Sequence, residues 1–255
     1  MKRLLLSLSA LIAGTSVSAA ADLPGRAAPV APVLPAAALS WTGFYAGVHG
    51  AWIRDAGEAV RTSVLGVSPA ALPARAGLTD TGLGGGAQIG YLWDFGRLVA
   101  GVEADLTVLD VGRSRSFEGE EAPFALRTDL SSQMSLFGSV KGRLGMALPG
   151  VLPFVEGSLV YVTGGLAMAR IERQGRITVE PVGLGPQASH EDWRTGFVVG
   201  AGSEHRLTPT LSLKTETLYY NLQDDTLTLA RSASQASYRF KNDGWISRVG
   251  LNLRF

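Results

Sequence analysis

From Trp41 to Phe255 apolar and polar side chains alternate with a period close to two, in eight runs at about 41–53, 83–95, 97–109, 132–147, 151–164, 193–206, 210–223 and 244–255. This feature constrains the fold most. A period of two gives a strand with unlike faces and argues against an amphipathic helix, whose apolar positions recur every 3.6 residues. In the last run Trp245, Ser247, Val249, Leu251, Leu253 and Phe255 share one face, and Ile246, Arg248, Gly250, Asn252 and Arg254 share the other. The third run sets Leu98, Ala100, Val102, Ala104, Leu106 and Val108 against a face with Glu103 and Asp105. The fourth opposes Leu136, Val140, Leu144 and Met146 to Ser139, Lys141 and Arg143; the seventh opposes Leu211, Leu213 and Tyr219 to Lys214 and Glu216. Each run can supply the 9–11 tilted residues with which a strand crosses a bilayer.

Alternation alone suits two arrangements: a soluble barrel with its apolar face buried, or a membrane barrel with that face turned to lipid. The links choose between them. After runs two, four and six they are tight, at Phe95-Gly96-Arg97, Leu148-Pro149-Gly150 and Leu207-Thr208-Pro209, where Gly and Pro supply turn chemistry. After runs one, three, five and seven they are expected to be long, polar loops of roughly 20 to 30 residues. Short turns on one side and long loops on the other are the rhythm of a transmembrane barrel. The expected fold is all-β, an eight-stranded antiparallel up-and-down transmembrane β-barrel over 41–255. Aromatics near the run ends (Trp41, Phe44, Trp52, Trp93, Phe95, Trp193, Tyr219, Trp245, Phe255) suit interfacial girdles.

The N-terminus reads as an address. Lys2 and Arg3 precede an apolar stretch from Leu4 to Ala13, and Ser18-Ala19-Ala20-Ala21 offers the small residues a signal peptidase needs. Residues 1–21 are therefore expected to be a cleaved signal, cut near Ala20 or Ala21. Residues 22–40, with Pro24, Pro29, Pro32 and Pro35 among many Ala, read as an extended periplasmic spacer. The PxxP spacing of Pro32 and Pro35 adds nothing to that reading. Cys is absent, which removes disulfides and thiolate chemistry, and a formal charge of +1 gives no electrostatic case for nucleic acid.

Trp41-Thr42-Gly43-Phe44-Tyr45-Ala46-Gly47 resembles the W-T-G-F-Y-x-G opening of the alphaproteobacterial outer-membrane immunogenic proteins, the RopB-type porin-like β-barrels. Further likenesses are the signal followed by Ala-Asp-Leu-Pro at 21–24, the run from Gly138 to Gly145, Leu218-Tyr219-Tyr220, and the run from Arg248 to Phe255. The resemblance implies an eight-stranded barrel related to the membrane domain of OmpA. It also implies insertion by the β-barrel assembly machinery, for which the terminal Phe255 is the signal. Two stretches depart from the pattern: the Ala- and Pro-rich first loop, about 54–81, and Tyr161-Val162-Thr163-Gly164-Gly165.

The search for chemistry returns weak signals. Gly82-Leu83-Gly84-Gly85-Gly86-Ala87 fits a dinucleotide fingerprint, but Gln88-Ile89-Gly90-Tyr91-Leu92-Trp93 continues as a strand where a helix is needed. Haem, which some relatives of this family bind, would make His49 or His190 axial ligands; lumen hydrogen bonding and a solvated loop are the plainer readings. Ser203 and His205 share one strand face and resemble the exterior Ser and His of certain lipid A deacylases. They precede a short turn, which puts them at the end away from lipid A. No cofactor and no catalytic residue is expected. The remaining constellation is inward charge from several strands: Glu103, Asp105, Lys141, Arg143, Glu156, Glu204, Lys214, Glu216 and Arg248. An eight-stranded lumen is just wide enough for side chains to fill it, so these charges are expected to pair into a plug. The functional expectation is a non-enzymatic envelope barrel whose partners are outer-membrane lipids and lipopolysaccharide, with a small-solute porin as the alternative.

Overall fold

The computed structural model describes residues 40–66, 68–121, 124–149, 155–231 and 234–255. The signal expected at 1–21, and the spacer expected at 22–40 except for its last residue, lie outside the described residues. Eight strands follow in order: β1 (Gly43–Leu65), β2 (Arg75–Asp94), β3 (Leu98–Glu121), β4 (Phe124–Pro149), β5 (Gly157–Glu180), β6 (Gly183–Arg206), β7 (Leu211–Arg231) and β8 (Ser234–Arg254). Each pairs antiparallel with its neighbour, and β1 closes the ring on β8. The turn between β2 and β3 holds Gly96 at φ +89°, a conformation that favours glycine. We call the end carrying both Gly43 and Arg254 the terminal end, and the other the distal end.

The strands, 20 to 26 residues long, are about twice what a bilayer requires. This corrects the reading of four long loops. Of the four distal links only β1–β2, 66–74, is of any length, and among its described residues it carries one 3-10 turn at Pro69–Ala71. At the other three distal links β3 ends at Glu121 and β4 starts at Phe124, β5 ends at Glu180 and β6 starts at Gly183, and β7 ends at Arg231 and β8 starts at Ser234. The stretches expected to be loops also alternate, but in the opposite sense. Leu126, Thr128, Leu130 and Ser132 are buried, whereas Arg127, Asp129 and Ser131 point out. Bulges help to hide this pattern. Between Met134 and Leu136, and again between Leu222 and Asp225, the register shifts and the inward parity changes from odd to even or the reverse. A smaller correction concerns the link after β4. That strand continues through Pro149, and the fifth strand, expected from 151, starts at Gly157.

In the terminal half the outward face is apolar. Leu83 to Trp93 on β2, Leu98 to Val108 on β3 and Leu136 to Met146 on β4 each give one band of exposed aliphatic, aromatic and small residues. Phe44, Trp93, Phe95 and Phe255 edge the band at the terminal end; Trp52, Trp193 and Trp245 edge it distally, with Tyr219 stacked 5.2 Å from Trp245. Trp41 is not part of either girdle. It is 2% exposed and lies under the guanidiniums of Arg206 and Arg254. The glycine-rich stretch of β2 is a packed wall. A Cβ on Gly82 or Gly84 would strike the side chains of Val111 or Leu109, and one on Gly86 would meet the His49 ring.

The interior is layered. Tyr45, Leu92, Val99, Leu159 and Tyr161 pack beside Trp41 at the terminal end. A charged layer follows, then an apolar one around Ile53, Val111, Phe137, Val198, Leu218 and Ile246. Above it Arg113 pairs with Asp55, and Arg173 and Arg194 pair with Asp225. The distal mouth is closed by Leu78, Leu130, Leu229, Tyr238 and Phe240, with Ala71 and Leu72 of the first link packed among them. Arg61 holds that link in place by donating to the carbonyls of Pro69 and Leu72.

Candidate functional site

The charged layer of the terminal half lies level with the outward apolar band. Lys141 on β4 is its hub: Nζ lies 3.1 Å from Glu103 Oε1, 3.1 Å from Asp105 Oδ2 and 2.9 Å from Glu216 Oε2. Across the lumen Lys214 Nζ, on β7, donates to both Glu103 oxygens at 2.6 and 2.7 Å. Arg143 bridges Glu103 at 3.2 Å and Glu204 at 3.0 Å, and Arg248 meets Asp105 at 2.8 Å. Four acids thus face four bases, contributed by β3, β4, β6, β7 and β8. All eight side chains belong to residues no more than 8% exposed. Charges this deep persist only when paired and hydrogen-bonded.

Neutral groups complete the pairing. Tyr45 Oη donates to Glu103 at 2.7 Å and accepts from Arg143 at 2.8 Å. Ser139 donates to Asp105 at 2.5 Å and Ser212 to Glu204 at 2.6 Å. Arg143 also stacks 3.8 Å from the Tyr161 ring centroid, a cation–π contact that occupies the guanidinium face. On the distal side His49 lies between Gln88 and Thr107, and Gln88 donates to Asn252 at 2.7 Å.

Of the nine inward charges expected from sequence, the structure brings eight together. Glu156 is the correction. It is exposed in the link before β5, where its backbone N–H donates to the Arg206 carbonyl at 3.1 Å. Glu156 precedes the first residue of β5, so the parity of that strand does not aim it inward. Sequence reasoning also missed Tyr45, Tyr161, Gln88 and Ser212; it placed Ser139, Asn252 and Arg254 on the polar faces but not in the network, where Arg254 lies 3.6 Å from Glu204. All share the inward parity of their strands, and that signal could have found them.

The weaker candidates fall apart in space. His49 is buried at bilayer depth with both ring nitrogens engaged, whereas His190 is exposed in the distal half, 3.4 Å from Asp192. No single ligand can use both. Ser203 Oγ does lie 3.2 Å from His205 Nε2, but His205 Nδ1 is 3.0 Å from Ser158 Oγ, and Glu204 points to the other face of the sheet. Ser203 also contacts Thr215 at 2.9 Å. Phe255 is 79% exposed at the terminal girdle, and its backbone N–H donates to the Phe44 carbonyl at 3.0 Å.

Comparison with known proteins agrees with this architecture. The family model described as "Outer membrane protein beta-barrel domain" matches residues 7–255. The 31 kDa outer-membrane immunogenic protein of Brucella melitensis is 27% identical over 259 residues, covering 99% of this chain and 98% of that protein. A 22 kDa outer membrane protein of Rhizobium leguminosarum bv. viciae is 28% identical over 227 residues, covering 88% of this chain and 82% of that one. Among solved structures, the outer membrane protein OprG of Pseudomonas aeruginosa superposes with a TM-score of 0.52 at 12% identity. The alignment covers 84% of this chain and 96% of OprG, a likeness of fold alone.

Proposed function

We propose, on the premise that this chain belongs to the outer membrane protein β-barrel family, that it is a non-enzymatic barrel closed at bilayer depth by its own charges. It sits in the outer membrane, with the apolar band against lipid. Its role in this reading is structural and superficial: it contributes to envelope integrity and presents the distal hairpins outside the cell. The observation that carries the reading is the buried four-acid, four-base layer around Lys141. A path for solutes would have to break several of these pairs at once, each at a cost of several kcal/mol.

Two finer points belong to the same reading. Residues 1–21 direct export and are cleaved near Ala20 or Ala21, and Phe255, projecting at the end of β8, is the group by which the assembly machinery recognises the chain. N-terminal sequencing of protein recovered from membranes tests the first. Deletion of Phe255, with accumulation in the periplasm as its expected result, tests the second.

The decisive experiment is planar-bilayer conductance of the purified, refolded protein. The expected trace is silent. Steady channels that vanish on Lys141→Met or Glu216→Gln would instead establish a small-solute porin. Catalysis is tested separately: lipid A mass spectra unchanged by overexpression are expected, and a Ser203-dependent loss of an acyl chain would overturn the non-enzymatic reading.

A further inference from the structure

The outward face of the projecting half is unevenly charged. On β3–β6 it carries Asp110, Glu118, Glu120, Asp129, Glu172 and Glu191 against Arg127, Arg170 and Arg176, a net negative side. On β8–β1–β2 the sign reverses. Arg54, Arg75, Arg239 and Lys241 point out, with Glu58 and Asp243 as the only outward acids among the described residues of that face. Lys241 and Arg75 share Glu58, each at 3.6 Å. Arg54 and Arg239 make no hydrogen bond or ion pair among the described residues.

The register stacks these cations above the distal aromatic girdle. Arg54 follows Trp52 by two residues on β1 and lies directly across from Trp245 on β8. Higher on the same strand, Val60 stands across from Arg239 on one side and Arg75 on the other. From Arg54 to Val60 a tilted strand climbs about 15 Å. Indole rings mark the level where hydrocarbon gives way to headgroups. Arg54 therefore stands at headgroup height, and the other cations rise above it.

We propose that this β8–β1–β2 face binds the anionic headgroup of lipid A in the outer leaflet. The inference rests on the orientation used under Proposed function, in which the distal hairpins face outward. Two features of the molecule select this occupant. The face continues the lipid-facing band without interruption, so what touches it is the headgroup of the lipid whose chains touch Trp52 and Trp245. Its charge is also complementary to that headgroup, with two arginines that have no partner among the described residues. Clustered cations beside a bilayer add attraction charge by charge, and salt weakens it.

The test titrates fluorescent lipid A into the refolded full-length barrel in neutral detergent. Arg54→Ala, Arg239→Ala and Lys241→Ala combined are expected to weaken binding about tenfold or more, and to flatten its salt dependence. Arg127→Ala, Arg170→Ala and Arg176→Ala combined, on the opposite face, are expected to leave it unchanged. The proposal is overturned by equal binding of the first triple variant, by an equal loss in the second, or by undiminished binding of lipid A stripped of its anionic groups. Equal binding of phosphatidylglycerol would reduce the face to a general anion-attracting surface and overturn it too. Each variant is checked for the gel-mobility shift on boiling that marks a folded barrel. If the first triple variant does not fold, Arg54→Gln and Arg239→Gln singly carry the test, each expected to weaken binding and flatten its salt dependence. Protease cleavage of the hairpins in whole cells separates the two failures: a barrel cut only from the periplasm sinks the orientation, whereas a correctly oriented barrel that ignores lipid A sinks this inference alone.

Discussion

The two halves of this barrel are built inside out relative to each other. In the terminal half Leu166 points into lipid, and Lys141, on the neighbouring strand, is sealed in the lumen. In the distal half, on the same strand as Lys141, Leu130 is sealed inside and Arg127 and Asp129 point to water. Distally β2 parts from β3 beyond Leu83–Asp110 and β6 from β7 beyond Gly196–Leu222. Along β4, however, pairing with β3 and β5 runs through both halves with only bulges, so the backbone of that strand cannot account for the difference. The solvent does: a polar group unpaired in hydrocarbon is costly, and an apolar side chain gains from leaving water. Closure also differs. The bilayer half is filled by paired charges, and the distal half chiefly by apolar packing, with Ala71 and Leu72 folded into the mouth.

The largest effect is expected at the hub of the bilayer half. Lys141→Met leaves Glu103, Asp105 and Glu216 each short of a cation. It should cost about 3–5 kcal/mol, read as a lower urea midpoint for unfolding from lipid vesicles. An unchanged midpoint would show that water reaches the layer and screens it. Close behind comes Leu130→Ala in the distal core, where Leu130 is 0% exposed, at about 2–5 kcal/mol. If it were silent, the distal half would not be a packed core.

The comparison sharpens with one change made at two heights on the outward face. Leu166→Arg, near the middle of the apolar band, should cost about 2–4 kcal/mol. Ser131→Arg in the distal half should change stability by no more than about 0.5 kcal/mol. Equal effects would erase the boundary drawn at Trp52, Trp193 and Trp245. The smallest effect concerns acid. The Ser116 hydroxyl, and after it Arg127, holds the Asp129 carboxyl below the usual carboxylate range. The stabilisation this brings is complete above that range and is lost as pH falls through the lowered value. Ser116→Ala should move the loss to higher pH, visible in the carboxyl titration by NMR; an unmoved titration would mean that the hydroxyl contributes nothing.

Much of the bilayer half was legible before any fold was known. Period-two alternation from Leu98 to Val108, or from Trp245 to Phe255, names a strand and its two faces, and the parity of Lys141, Arg143, Lys214 and Glu216 puts their charges together. The distal half was not legible in the same way. Its inward residues are mixed with Thr128 and Ser132, its outward ones are charged, and bulges near Ser135 and Asp224 change parity in mid-strand. Periodicity was therefore lost where the strands in fact continued, and four hairpins were read as loops.

The sequence by itself determined the class of structure, the count of eight strands and which side chains share a face, because a period of two is a local property that each strand carries alone. Only the tertiary structure decided what lies across the lumen. Lys214 on β7 reaches Glu103 on β3, Arg113 pairs with Asp55 on β1, and Glu156 stays outside although it carries the same charge. Those partners are set by the radius of the closed ring and the stagger of its register, which exist once β1 has met β8.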